Sequence, residues 1–272
     1  MLAQNSISNV FPLKKDNKQR FSWKEYFILA FAGLFGTIVA IPSAWSTLEN
    51  TASVQKIPVQ LLVGEQILQT TFWMLIVVGV GLFLAGKTGL GAPILKGYLN
   101  GERVSGRFRS LILPSVLLAI LATLIVKPLD RWFFLPRMPG FSSAISQISG
   151  WKGFLASFYG GITEEILLRL FFLTLLAWIL GWISHTADGK PSRIAMWIAI
   201  LGSAILFGLG HLPATLASVP FSPIVLAREV TLNGIMGTTF GYLYWKRGLE
   251  SSMMAHFSSD LLVHLILPFF SL

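Results

Sequence analysis

The sequence predicts an all-α fold, a polytopic transmembrane helical bundle of about seven spans, and three observations carry that expectation. Hydrophobic residues make up 54% of the chain and charged residues only 12%, about half the charged share of an ordinary soluble domain. Apolar runs recur along the whole length, and most reach the roughly 20 residues that a helix needs to cross the hydrocarbon core. The basic residues behind the net charge of +9 gather between those runs rather than on them, as they do in the cytoplasmic loops of membrane proteins.

The expected spans lie at Tyr26–Leu48, Val59–Gly86, Ser110–Val126, Trp151–Ile183, Ile194–Leu212, Pro223–Trp245 and Leu249–Phe270. The fourth is long enough to tilt or to extend beyond the bilayer. The sixth is the weakest, because Arg228, Glu229 and Asn233 interrupt it. The chain therefore divides into a basic cytoplasmic N-terminal segment (1–25), N-terminal helices and loops (26–150), and a C-terminal core (151–272) that holds the polar motifs described below.

Orientation follows from the loops. Lys14, Lys15, Lys18, Arg20 and Lys24 crowd the N-terminus, and Lys87, Lys96, Arg103, Arg107 and Arg109 crowd one internal connection. The positive-inside rule then puts the N-terminus in the cytoplasm and, with seven spans, the C-terminus outside. The expected location is the plasma membrane. The exception is the connection from Lys127 to Lys152, basic yet on the expected outer side. Its Trp and Phe residues suit the membrane interface. This distribution makes the bilayer the first partner and excludes nucleic acid. Cysteine is absent, so neither a disulfide nor a thiol nucleophile is available. No cleavable signal peptide is evident, since the first apolar run starts near Tyr26 and is too long for an h-region.

An ionisable side chain within a span costs roughly 2.5–3.5 kcal/mol on insertion scales, so each one asks for a reason. Three groups stand out. In the fourth span, Glu165 and Arg169 lie four residues apart and can pair on one helix face. Glu164 is turned about 100° away and is left without that partner. Glu165 and Arg169 thus read as structural, and Glu164 as chemical. The fifth span ends on Phe207-Gly-Leu-Gly-His211, where small residues let another helix come close. In the last span His256, Asp260 and His264 repeat at four-residue steps and form a polar stripe. A carboxylate one turn from a His can accept its ring N–H and fix the tautomer. His264 reads as a residue that supports the site from behind or as a structural one.

These segments together resemble the CAAX-protease and bacteriocin-processing family of intramembrane glutamic endopeptidases, the CPBP or Abi family. Glu164-Glu165-Ile-Leu-Leu-Arg169 matches its Glu-Glu-x-x-x-Arg motif, Phe207-Gly-Leu-Gly-His211 its Phe-x-x-x-His motif, and His256-Phe-Ser-Ser-Asp260 its closing His-x-x-x-Asn/Asp motif. The glycine-spaced stretch Gly234–Gly248 also looks like the helix and polar turn before that last motif. The resemblance runs from about Trp151 to His264, and it implies a catalytic centre built from Glu164, His211, His256 and Asp260. Glu164, helped by His211, would activate a water. His256, supported by Asp260, would stabilise the oxyanion. The substrate would be a peptide or membrane protein, cleaved in CAAX-type or membrane-peptide processing. Asp260 stands where many members have Asn, and an ionised Asp cannot donate a hydrogen bond to an oxyanion.

No cofactor is expected. Zinc is the alternative, and its ligands would be Glu164, His211, His256 and Asp260, although no His-Glu-x-x-His segment supports it. A non-enzymatic membrane scaffold or bacteriocin-immunity-type protein of the same fold is the rival function. A small transporter is a third, disfavoured by the lack of an inverted repeat. One geometric difficulty remains at this level. His211 lies much further along its span than His256 does, a depth difference of roughly 18 Å if both spans start at one surface.

Overall fold

The computed structural model describes residues 21–139, 141 and 150–267. The basic residues Lys14, Lys15, Lys18 and Arg20, part of the Lys127–Lys152 connection and the end of the seventh expected span lie outside these. A helix stands at every one of the seven expected spans. They are α1 (Trp23–Gln55), α2 (Val59–Thr88), α4 (Ser105–Arg137), α5 (Gly150–Ile183), α6 (Arg193–Leu216), α7 (Pro223–Arg247) and α8 (Leu249–Leu261). An unexpected short helix, α3 (Pro93–Leu99), sits between α2 and α4.

Helix ends follow local chemistry. Ser22, Ser192 and Ser222 each accept a backbone N–H of the first turn, capping α1, α6 and α7. Gly89 closes α2 at φ 77°, in the left-handed region that favours glycine. The Asp130-Arg-Trp-Phe-Phe stretch, expected at the interface, continues α4 as a widened turn over Asp130–Phe134 and a tight one over Leu135–Arg137. Trp132 is 73% exposed there while Phe134 is buried.

Among the described residues, five helices are long and apolar enough to cross a membrane unaided: α1, α2, α4, α5 and α6. The other two are more polar or shorter. Helix α7 has 25 residues but holds Arg228, Glu229, Lys246 and Arg247. Helix α8 has 13 residues, about 20 Å, against a hydrocarbon core of about 30 Å; wide turns over Leu262–Ile266 extend it. Both pack against α4 and against each other, and α7 pairs most extensively with α6. Glycine makes that last pairing close, because a Cβ on Gly208 would meet the α7 backbone and one on Gly237 would meet Ala204.

One apolar core joins α1, α2, α5 and α6 through Met74, Val78, Ile166, Leu170, Leu173, Met196 and Ile200. A second joins α4, α6, α7 and α8 through Ala119, Phe207, Phe240, Leu243 and Ala255. Phe31, Phe35, Leu68, Phe72, Leu124 and Ile125 remain exposed, the outer surface expected of a bundle whose solvent is lipid. The polar motifs lie where the two cores meet.

Candidate active site

Helix α5 is not a regular α-helix where it matters. Its turns widen to i→i+5 hydrogen bonding over Tyr159–Glu164 and again over Ile166–Leu173. Such bulges are uncommon and cluster at functional sites. Thr174 Oγ1 donates to the Arg169 carbonyl at 2.9 Å and bonds the Tyr244 hydroxyl at 2.7 Å, tying the widened helix to α7. Thr163 Oγ1 donates to the Gly33 carbonyl of α1 at 2.7 Å. The widened segment is thus pinned on both sides.

Two glycines let α8 lie against it. A Cβ on Gly160 would collide with Asp260 and meet His256 Nε2 at 2.9 Å, and one on Gly161 would meet the backbone of Phe257 at 3.2 Å. Side chains from the first and third motifs therefore converge. His256 Nδ1 lies 2.7 Å from Glu165 Oε1, while its Nε2 lies 3.7 Å from Glu164 Oε2 and 3.7 Å from Asp260 Oδ1. Only the first of these is a hydrogen-bond distance.

This reassigns one expected support. Glu165, not Asp260, takes the His256 Nδ1–H. The physical reason is reach. Asp260, one turn along the same helix, stays 3.7 Å away, whereas Glu165 enters from a second helix brought close by Gly160 and Gly161.

The Glu165–Arg169 pair forms as expected, at 2.8 Å with both side chains fully buried. Ser252 Oγ donates to the other Glu165 oxygen. Arg169 Nη2 donates to the Gly237 carbonyl at 3.2 Å, and its guanidinium lies 5.0 Å from the Phe207 ring and 5.3 Å from Phe240. Two aromatic faces on a desolvated cation add attraction that water would weaken. Phe240 also stacks on His256 at 4.5 Å, and Phe207 meets it edge-on at 5.5 Å. A continuous path therefore runs from Arg169 through Glu165 to His256, walled by two phenylalanines.

His211 belongs to the margin of this arrangement. Its ring meets Phe207 edge-on at 4.6 Å, and its Nδ1 lies 2.9 Å from the Phe207 carbonyl. A carbonyl only accepts, so Nδ1 carries a proton and Nε2 is the ring nitrogen left free of this contact. Sharing Phe207 answers the depth difficulty. His256 touches that ring, and His211 is one helical turn from it, about 6 Å along the axis. The Lys246–Gly248 turn is roofed rather than open: Leu249 N–H donates to the Gly91 carbonyl, and Pro93 packs on the buried Gly248. The start of α8 is thereby covered by the α2–α3 connection. His264 packs on Gly153, away from the site.

Sequence reasoning missed Phe240, Ser252 and the two glycines. Ser252 was within reach of it, lying one turn before His256 on the same stripe. Phe240 carried no signal, as one apolar residue among many in its span. Among the described residues, no three His, Asp or Glu side chains converge closely enough to hold a metal ion.

Residues 146–262 match the family model described as type II CAAX prenyl endopeptidase Rce1-like. The similarity covers 117 of the 272 residues. The match overlaps the stretch on which the resemblance rested and contains all three motifs, while the helices before it are uncovered. No curated protein and no solved structure matches the chain. What this segment is similar to is a family described as a prenyl endopeptidase of the CAAX type.

Proposed function

We propose that the protein hydrolyses a peptide bond within the membrane, with Glu164 as the base that activates water. The observation that carries this reading is the position of Glu164, facing His256 Nε2 at 3.7 Å while its neighbour Glu165 is occupied by Arg169, Ser252 and His256. Two adjacent carboxylates thus have separate tasks. Glu164 removes a proton from water, the hydroxide adds to the scissile carbonyl, and the same proton passes to the leaving nitrogen as the C–N bond breaks.

In this mechanism His256 is protonated and its Nε2–H donates to the oxyanion of the tetrahedral intermediate. Glu165 holds the ring by Nδ1 and supplies the counter-charge. His211, through Nε2, orients the water beside Glu164. Asp260, 3.7 Å from Nε2, sets the polarity beside it, where many members of the family have Asn. No metal is part of the proposal. Zinc held by Glu164, His211, His256 and Asp260 is the competing mechanism.

The test is Glu164→Gln in detergent-purified, lipid-reconstituted protein, with a prenylated CAAX-type peptide read by mass spectrometry. Gln keeps the shape but cannot take a proton. Turnover should fall at least about 10²-fold, the usual weight of a general base, with peptide binding retained. Full activity in this variant would remove Glu164 from the chemistry. A folded wild type that cuts no peptide would favour a scaffold role. Elemental analysis before and after a permeant chelator decides on the metal: stoichiometric zinc whose removal abolishes activity, restored on re-addition, would recast the four residues as ligands. The proposal includes a cytoplasmic N-terminus at the plasma membrane. Reporter fusions after Arg109 and at Leu272 should report opposite sides, and the same side for both would reject that topology.

A further inference from the structure

A cavity of about 180 Å³ opens between the second half of α1 and the start of the widened segment of α5, walled by Thr37, Ala40, Ile41, Ala44, Ala156 and Tyr159, with Gln66 of α2 at its edge. We propose that this cavity seats a single apolar side chain of the substrate, from a residue flanking the bond that Glu164 attacks, and so sets side-chain selectivity. The inference rests on the endopeptidase reading above and deepens it.

Position is the first argument. Tyr159 and Glu164 are the two ends of the first widened segment, one i→i+5 turn apart on α5, so they stack along one side of that helix. They are also within electrostatic reach of each other. A chain lying across Glu164 brings its neighbouring side chain to the Tyr159 edge. The wall opposite comes from α1, which Thr163 holds against α5 through the Gly33 carbonyl at 2.7 Å.

Size is the second. A cavity of about 150 Å³ takes benzene, so this one takes one aromatic ring or one branched aliphatic chain.

Chemistry is the third. Three alanines and Ile41 make an apolar wall, and the Thr37 and Ser43 hydroxyls are spent on their own helix. Thr37 donates to the Gly33 carbonyl at 3.2 Å and Ser43 to the Ala40 carbonyl at 2.6 Å. A charged substrate side chain would find no fixed counter-charge among these residues and would stay unpaired. Pro42 lies in the middle of the α1 wall, and its missing N–H leaves the Ile38 carbonyl without the helix bond that would otherwise straighten this stretch. Most of the cavity belongs to helices outside the Rce1-like segment, so selectivity and chemistry come from different halves of the chain.

The test uses the full-length protein in liposomes and prenylated peptides that differ only at the positions flanking the scissile bond, carrying Ala, Leu, Phe or Asp. Wild type should prefer Leu and Phe and reject Asp. Ala44→Phe, which fills the cavity, should lower the Leu-to-Ala and Phe-to-Ala ratios of kcat/KM at least about tenfold, within the range that pocket contacts command. Ile41→Ala, which enlarges it, should raise the Phe-to-Leu ratio; if Ala44→Phe does not fold, this variant decides alone. The same ratios measured as peptide binding in a Glu164→Gln background report the cavity when chemistry is off. Equal losses for every peptide, or ratios unchanged in both variants, would overturn the proposal. Loss of a co-purifying lipid from Ala44→Phe with unchanged ratios would assign the space to an acyl chain instead. Absence of cleavage by wild type with binding ratios that still shift would instead sink the endopeptidase reading and leave the cavity as a peptide site.

Discussion

Arg169 and Arg228 are both arginines within helices of the bundle, and both are paired with carboxylates, yet their surroundings differ. Arg169 is fully buried between Phe207 and Phe240, and its partner Glu165 reaches on to His256. Arg228 is 17% exposed and pairs with both oxygens of Asp130, at 2.7 Å each, and with Glu229 at 2.7 Å. Thr215 and Asn233 complete the set by donating to Glu229. The second network joins the ends of α4, α6 and α7 and touches none of the three motif carboxylates. A charge inside a span therefore signals a partner, and only the partner's own neighbours say whether that partnership serves a site or a scaffold. The interruption that made the sixth span weak is the scaffold case.

The largest effect that would sharpen this comparison is expected at Arg169. Arg169→Ala leaves Glu165 charged, buried and without its cation, a loss of about 3–5 kcal/mol in buried pairs. Folded yield and thermal stability in detergent should both drop. The double change Glu165→Gln with Arg169→Ala removes the orphan charge and should recover part of the stability, but not the activity, because His256 has then lost its anionic partner. A double variant as unstable as the two singles added together would show that the pair is uncoupled.

A smaller effect is expected at Arg228. Its network reaches water, so Arg228→Ala should cost about 1–2 kcal/mol, between the values for exposed and buried pairs. Catalysis per folded molecule should change little. A loss of turnover as deep as that of Glu164→Gln, with stability kept, would break the distinction between the two networks. The smallest effect belongs to Arg228→Lys, which keeps the charge but loses the fork that grips both Asp130 oxygens. It should retain most of the stability, measured by the same unfolding assay.

The helical bundle, the seven helix positions and the Glu165–Arg169 pair were legible in the sequence because each depends on local spacing. Apolar length decides what can cross a bilayer, and a four-residue step decides what shares a helix face. The motif residues were legible as well, since an ionisable group in an apolar run needs a reason. What the sequence by itself could not determine was which carboxylate holds His256, how deep His211 and His256 lie relative to each other, and that α5 widens between Tyr159 and Leu173. Asp260 has the better spacing and Glu165 has the contact, because Gly160 and Gly161 bring a second helix within reach. Such distances are decided between helices, where glycine, a bulge or a roofed turn shifts a side chain by several ångströms without leaving a period in the chain. Spacing along one helix is a local property, whereas approach between helices belongs to the packed whole.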